Sequence, residues 1–354
     1  MRRSIYVFIF LLTFCFSTSA FAYTPYESTQ RVWICPEFTF HTGETLKNLK
    51  LGYVELGNPK GETVVLLHGT GGSGAGIANS PVFGGALFGQ GQVLDATKYH
   101  IILIDAIGTG ESSKPSDGLK ASFPRYNYDD MVTAQYRLLT EGLQIDHIRA
   151  IIGFSMGGMN TWLWGIKYPN YMDAIVPMAA SPCAMNGRNY ITRKFISDSI
   201  RKDPAWQGGN YTEQPKSAQF ATIYYNFATN LGTAQLVQKA PSYVEADEMV
   251  AKAFAAPYTV DANDILYQWE ASTDFNPVGY QNIKADILVI NSADDERNPI
   301  ELGVCTKALN EIGHGTEFLI PAGPNTNGHA TTFNANLWKD AFAEFIKNVP
   351  HGNQ

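Results

Sequence analysis

Three groups of residues could together carry acyl-transfer chemistry. Ser155 stands in Gly153-Phe154-Ser155-Met156-Gly157; His314 and His329 lie near the C-terminal end; Asp294 and Asp295 lie between. An alcohol is a poor nucleophile at neutral pH, so Ser155 needs a base to take its proton. It also needs donors for the oxyanion that forms when it attacks a carbonyl. The stretch His68-Gly69-Thr70-Gly71-Gly72 offers the backbone N–H of Thr70, and the residue after the serine offers that of Met156. The Gly-x-Ser-x-Gly pentapeptide alone is a weak signal. What strengthens it is what surrounds it.

An apolar run at 148–153 leads into the pentapeptide and a helix-compatible stretch at 161–167 leads out. Strand, very tight turn and helix would put Ser155 at the apex, its hydroxyl exposed and the first helical N–H groups beside it. Gly153 and Gly157 suit such a turn because a Cβ at either place would strike neighbouring backbone. Short continuous apolar runs recur at 63–68, 101–105, 174–178 and 287–290, the pattern of strands buried on both faces. A last strand is expected at 316–320, and two more at 32–40 and 49–56 around a turn at His41-Thr42-Gly43-Glu44. Helical stretches at 128–142, 161–168, 299–312 and 335–349 alternate with the strands. Alternation of this kind makes an α/β fold with a mostly parallel central sheet flanked by helices. It breaks at 183–275, where 193–198, 217–231 and 243–254 look helical between prolines and no buried strand appears. A helical cap over the strand ends is expected there, with the catalytic domain built from 23–182 and 276–354.

The sheet decides between the histidines. Ligands bind at the C-terminal edge of a parallel sheet, where Ser155 would sit. His329 follows the strand at 316–320 and emerges at that edge; His314 precedes it, at the opposite end, and reads as a turn residue. For the acid, Asp294 and Asp295 both follow the 287–290 strand. Asp295, four residues before Pro299, is favoured, with the other carboxylate left as a helix cap. A Gly-x-Gly-x-x-Gly match at 69–74, with Asp95 some way on, is set aside because the glycines run on to Gly76 without a helix opening on them. The strand end at 105–113 reads as a structural glycine turn, and Trp162, Trp164 and Trp269 as core or cap packing.

Composition bounds the rest. Arg2-Arg3, an apolar run at 5–16 and Ala20-Phe21-Ala22 make an export signal, with cleavage expected after Ala22 and a periplasmic or secreted product. The apolar run is too short to span a bilayer, so no membrane anchor is expected once it is removed. Cleavage would take the formal net charge from −7 to −9, and an acidic chain without basic clusters is not a nucleic-acid binder. Cys35, Cys183 and Cys305 allow at most one internal disulfide, of unassigned pairing. No zinc-type histidine spacing and no Cys-x-x-Cys is present, so no metal and no cofactor is expected. The expected partner is a small-molecule ester or acyl substrate, with a homodimer left open.

With these residues in view, the chain resembles the α/β-hydrolases, whose triad follows the chain order Ser, Asp, His, and within them the homoserine O-acetyltransferase branch. The resemblance runs from about Leu51 to Phe345. It rests on 153–159 (GFSMGGM), on 203–211 (DPAWQGGNY) and on 261–267 (DANDILY); the last two are absent from generic esterases. It implies an enzyme that passes through an acyl-serine. The family also uses a cap arginine to hold the acceptor's carboxylate. Here no arginine occurs between Arg201 and Arg297, and the matching stretch reads AQFATIYY at 218–225. Arg188 and Arg193 are the substitutes at hand. The missing arginine, and an export signal that would carry the chain away from acetyl-CoA, favour water as the acceptor: an exported hydrolase of small carboxylic esters or amides. The alternatives are a homoserine O-acetyltransferase-like acyltransferase and an inactive binding protein on the same fold.

Overall fold

The computed structural model describes residues 26–352, so the export signal lies outside the described residues. Eight strands form one sheet: β1 (Ser28–Thr39), β2 (Thr45–Gly57), β3 (Thr63–Leu67), β4 (His100–Ile104), β5 (Ile148–Phe154), β6 (Met172–Met178), β7 (Asp286–Ser292) and β8 (Thr316–Ile320). Their spatial order is β1-β2-β4-β3-β5-β6-β7-β8. β1 and β2 are an antiparallel hairpin, β2 meets β4 antiparallel, and every pairing from β4 to β8 is parallel. β5, which carries the elbow, lies at the centre, flanked by β3 and β6.

Central position explains the unbroken apolar runs. In β3, Val65 and Leu67 pack into the core on one face while Val64 and Leu66 pack into that on the other. β5 does the same with Ile151 against Ala150 and Ile152. Alternate side chains of a strand point to opposite faces, so a strand covered on both sides must be apolar at every position. The helices Tyr128–Arg137, Met156–Lys167 and Val304–Ile312 contribute to the first core, and Lys339–Asn348 to the second.

Between β6 and β7 the described chain is helical: Gly187–Lys202, Lys216–Tyr225, Thr233–Lys239, Tyr243–Ala255 and Ala262–Glu270. These helices bury a third apolar cluster of their own, around Ile200, Trp206, Ala218, Tyr225, Leu266 and Trp269. Two differences from the sequence reading are physical. The helix expected over 299–312 is a 3-10 turn, Ile300–Leu302, then Val304–Ile312, broken at Gly303, whose φ of +60° is left-handed. Ala262–Glu270 is a helix the sequence analysis does not include: only nine residues long, it sets Ile265, Leu266 and Trp269 into the cap cluster, and its polar side is buried as well, with Asn263 and Gln268 hydrogen-bonded to other parts of the chain.

Three buried motifs turn out to be braces. Asp105 accepts hydrogen bonds from the N–H groups of Gly74 (2.7 Å) and Glu111 (3.0 Å), which makes its glycine turn structural, as expected. A short helix, Gly74–Ala78, does open on the glycine-rich run, and Asp95 is spent on the Gly91 and Thr97 N–H groups. The two cap motifs bind each other: Trp206 Nε1 donates to Asn263 Oδ1 (2.8 Å) and Tyr211 OH to Asp261 Oδ1 (2.6 Å). Among the described residues, Cys35, Cys183 and Cys305 are all free thiols, and no helix is long and apolar enough to cross a membrane.

Candidate active site

The elbow at the end of β5 forces the serine into an unusual backbone. Ser155 has φ 55° and ψ −110°, a strained conformation for a residue with a side chain. A Cβ on Gly153 would stand 2.1 Å from the Gly157 carbonyl oxygen, and one on Gly157 2.3 Å from that of Leu67. No side chain fits at either position, so both glycines are required for the helix to pack this closely on β3 and β5. Met156 begins that helix, and the first N–H groups of a helix have no intrahelical partner.

The loop after β8 brings His329 to the serine. Ser155 Oγ–H donates to His329 Nε2 at 2.8 Å, and His329 Nδ1–H donates to Asp295 Oδ2 at 2.8 Å. All three residues are buried. Asp295 also accepts from Asn298 Nδ2 (2.9 Å) and the Arg297 N–H (2.8 Å). Burial pushes the Asp295 carboxyl up, but His329 and these donors outweigh it and hold the group below the usual carboxylate range. Burial and the nearby Arg297 cation pull His329 below 6.5 despite Asp295, so the imidazole is neutral and able to accept a proton at neutral pH.

Asp294 has another task. Its Oδ2 accepts from Thr326 Oγ1 (2.8 Å) and the Gly328 N–H (3.0 Å), fixing the loop that presents His329. His314 lies at the far end of the sheet, half-buried, its Nε2–H donating to the Ala285 carbonyl (3.2 Å). It is thus tied to the protein and not a solvated turn residue.

On the other side of Ser155, Thr70 lines the same cavity. Its loop is held from within by His68, which is buried and below its usual pKa through desolvation. His68 Nδ1–H donates to the Gly69 carbonyl (2.7 Å) and Nε2 accepts from the Ala106 N–H (3.0 Å). From the cap side, Gln268 Oε1 accepts the Gly71 N–H (2.8 Å) while its Nε2 donates to the Gly108 carbonyl (2.8 Å). Gln268 was not singled out from the sequence; it stands next to the DANDILY motif, and only the packing of its helix shows the reach.

The cavity over Ser155 measures about 510 Å³ and is walled by Thr70, Phe154, Tyr225, Trp269, Arg297 and His329, together with five asparagines. Trp162 and Trp164 are core residues, as read. Trp269 is not packing alone: it belongs to the cap cluster and also walls the cavity. Neither arginine proposed as a substitute clamp lines this cavity. Arg188 is exposed and pairs with Glu296; Arg193 is buried behind Trp269, its guanidinium 5.0 Å from the ring centroid. Arg297, which the sequence reading used only as the far limit of the arginine-free stretch, does line it. The signal was its place in the turn after β7, two residues beyond Asp295. Among the described residues no cluster of His, Cys, Asp and Glu could hold a metal ion.

A family model described as alpha/beta hydrolase fold matches residues 62–325. The homoserine O-acetyltransferase of Methanobrevibacter ruminantium is 27% identical over 301 residues, spanning 73% of this chain but only 61% of that protein's length. The homoserine O-acetyltransferase of Chlorobaculum parvum is 29% identical over 311 residues, spanning 76% and 85%. Of solved structures, esterase E22 superimposes with a TM-score of 0.78 at 20% identity, covering 90% of this chain and all (100%) of that one. The homoserine O-acetyltransferase from Bacillus anthracis gives 0.75 at 21%, covering 92% and 99%. At these identities the two structures speak for the fold. An elbow serine, a histidine after the last strand and the cap motifs are what these similarities add up to: the chain belongs to the alpha/beta hydrolase fold family, in its homoserine O-acetyltransferase-like branch.

Proposed function

We propose that this enzyme is an acyltransferase that moves a short acyl group from an ester to the hydroxyl of a small acceptor through acyl-Ser155. The observation that carries the reading is the continuous hydrogen-bonded line from Asp295 through His329 to Ser155, opening into a cavity of about 510 Å³ under the cap. That space suits a short acyl group and a small acceptor together. In the first half-reaction Ser155 Oγ forms a bond to the acyl carbon and its proton passes to His329 Nε2. The Thr70 and Met156 N–H groups stabilise the oxyanion, and the leaving oxygen departs with the proton from His329. In the second, the acceptor hydroxyl attacks the acyl carbon, its proton goes to His329, and Ser155 Oγ leaves and takes that proton back. Asp295 keeps the imidazole in the tautomer that both halves need.

The curated relatives named homoserine O-acetyltransferase favour transfer over the hydrolysis that the sequence reading preferred. Hydrolysis is the second reading. What favours it is that the cap helix Lys216–Tyr225 carries no arginine. The test is acylation of the purified protein with p-nitrophenyl acetate, followed by release with and without millimolar L-homoserine. Acceptor-dependent release with accumulation of O-acetylhomoserine supports transfer; release to acetate alone, at a rate independent of acceptor, supports hydrolysis. Export rests on the N-terminal signal. N-terminal sequencing of the protein recovered from the periplasm or medium should begin at Tyr23.

A further inference from the structure

The wall of the Ser155 cavity carries one formal charge among the described residues, and it is positive. Arg297 lines the cavity; no Asp or Glu does. Its guanidinium is in no ion pair within 4.0 Å among the described residues. Nε donates to Thr229 Oγ1 (3.1 Å) and a terminal nitrogen approaches Asn230 Oδ1 (3.4 Å), both neutral acceptors in the cap. The Asp295 carboxylate, two residues away, offsets part of the charge, but its oxygens are taken up by His329, Asn298 and the Arg297 N–H. Desolvation pulls the guanidinium below its usual range. A cation held in such surroundings is costly unless an anion arrives to share it.

The neighbours are arranged to the same end. Arg297 stacks on Tyr225 at 4.2 Å from the ring centroid, and Tyr225 packs on Trp269 with centroids 4.5 Å apart. Both rings wall the cavity. The Tyr225 hydroxyl and the Trp269 indole N–H are buried without a hydrogen-bond partner, a rare condition for such groups. Arg193, on the far side of Trp269, leaves Nη2 unpartnered as well. A guanidinium with no acid to pair with, in a cavity wall that carries no other formal charge, is the feature an anion site requires.

We infer that Arg297, on the same turn as Asp295, is the group that fixes a substrate carboxylate in this enzyme, standing in for the arginine its cap lacks. This assignment rests on acyl transfer at Ser155, and it names a residue from beneath the cavity where the family relies on the cap. The carboxylate could belong to the acyl group or to the alcohol; either would meet the same guanidinium, which orients it for the Ser155 attack.

The test compares anionic esters with neutral isosteres. On the acyl side the pair is the p-nitrophenyl half-ester of succinate and its methyl ester; on the alcohol side, O-acetyl-2-hydroxybutanoate and its methyl ester. Wild type is expected to prefer the anion on at least one side by tenfold or more in kcat/KM. Arg297→Met should lower that anionic-over-neutral ratio about 10²-fold, chiefly through KM of the anion, the scale on which truncating one partner of a buried charged pair acts. Arg297→Lys, which keeps the charge but loses the planar fork, should retain more of the ratio than Met. A melting transition for each variant establishes that it is folded. An equal loss on anionic and neutral esters would make Arg297 a strut between turn and cap and would overturn the assignment. So would a wild type that does not distinguish the pairs. Failure of the underlying acyl-serine chemistry would look different, since wild-type Ser155 would then not be labelled by a fluorophosphonate.

Discussion

Ser155 is 3% exposed, yet its hydroxyl faces the cavity with His329 2.8 Å away. Ser155→Ala should therefore abolish fluorophosphonate labelling and lower turnover of p-nitrophenyl acetate by about 10⁶, while leaving the melting temperature close to wild type. Turnover within tenfold of wild type would remove Ser155 from the chemistry. The two aspartates should separate as clearly. Asp295→Asn takes away the acceptor that fixes the imidazole tautomer and should cost roughly 10⁴ in kcat. Asp294→Asn weakens the bonds to Ser292, Thr326 and Gly328 and should cost roughly tenfold. The reverse ranking would reassign the acid. His329 predicts the pH profile. Arg297 and Arg193 disfavour its charged form, Asp295 favours it, and burial tips the balance towards neutral. The group must be unprotonated to act as base, so the midpoint of the acid limb of kcat/KM for a neutral ester should lie below pH 6.5, the ordinary imidazole value. An acid limb at or above 6.5 would mean that the cations do not reach the imidazole.

At the scale of elements, the elbow is a contact between backbones. Gly157→Ala would drive its Cβ into the Leu67 carbonyl, an atom of the rigid central sheet, and should destabilise the fold by about 3 kcal/mol or more in urea unfolding. The cap helix Ala262–Glu270 reaches the loop that carries Thr70, the proposed oxyanion donor, through Gln268. Gln268→Ala should lower kcat roughly tenfold with little change in KM, because it frees the loop that places the Thr70 N–H without touching the substrate's binding wall. An unchanged kcat would show that His68 holds the loop alone. The same elements show what the sequence made legible. Ser155, His329 and Asp295 could be found because strand periodicity says which end of the sheet each loop leaves from, and chemistry happens at one end only. Arg297, Tyr225, Trp269 and Gln268 could not. They meet across the joint between cap and core, more than 70 residues of chain separate Tyr225 from Arg297, and no periodicity encodes how one helical layer lies on another.

For the whole molecule, the proposed transfer requires that water be kept from an acyl-serine long enough for another acceptor to take the acyl group. The cap walls the cavity over Ser155 with Tyr225, Asn226, Asn230 and Trp269, and it touches the histidine loop where two glycines meet. A Cβ on Gly232 would stand 2.7 Å from the Gly328 nitrogen and 2.9 Å from Asp294 Oδ2. Gly232 has φ −73°, so alanine would fit its backbone without strain and would act only by wedging that joint. The glycine pair lets the cap come down on the loop and, with Arg297 bonded to Thr229 and Asn230 close by, closes the cavity from that side. Opening a closed site admits water and weakens the interactions that position a competing acceptor. Gly232→Ala should therefore raise the hydrolysed share of acyl-Ser155 severalfold at fixed L-homoserine, measured as acetate against O-acetylhomoserine after a single turnover. If the product ratio stays at the wild-type value while the variant remains folded, the cap does not decide between water and acceptor. Selection would then rest on the cavity wall itself, where Arg297 stands.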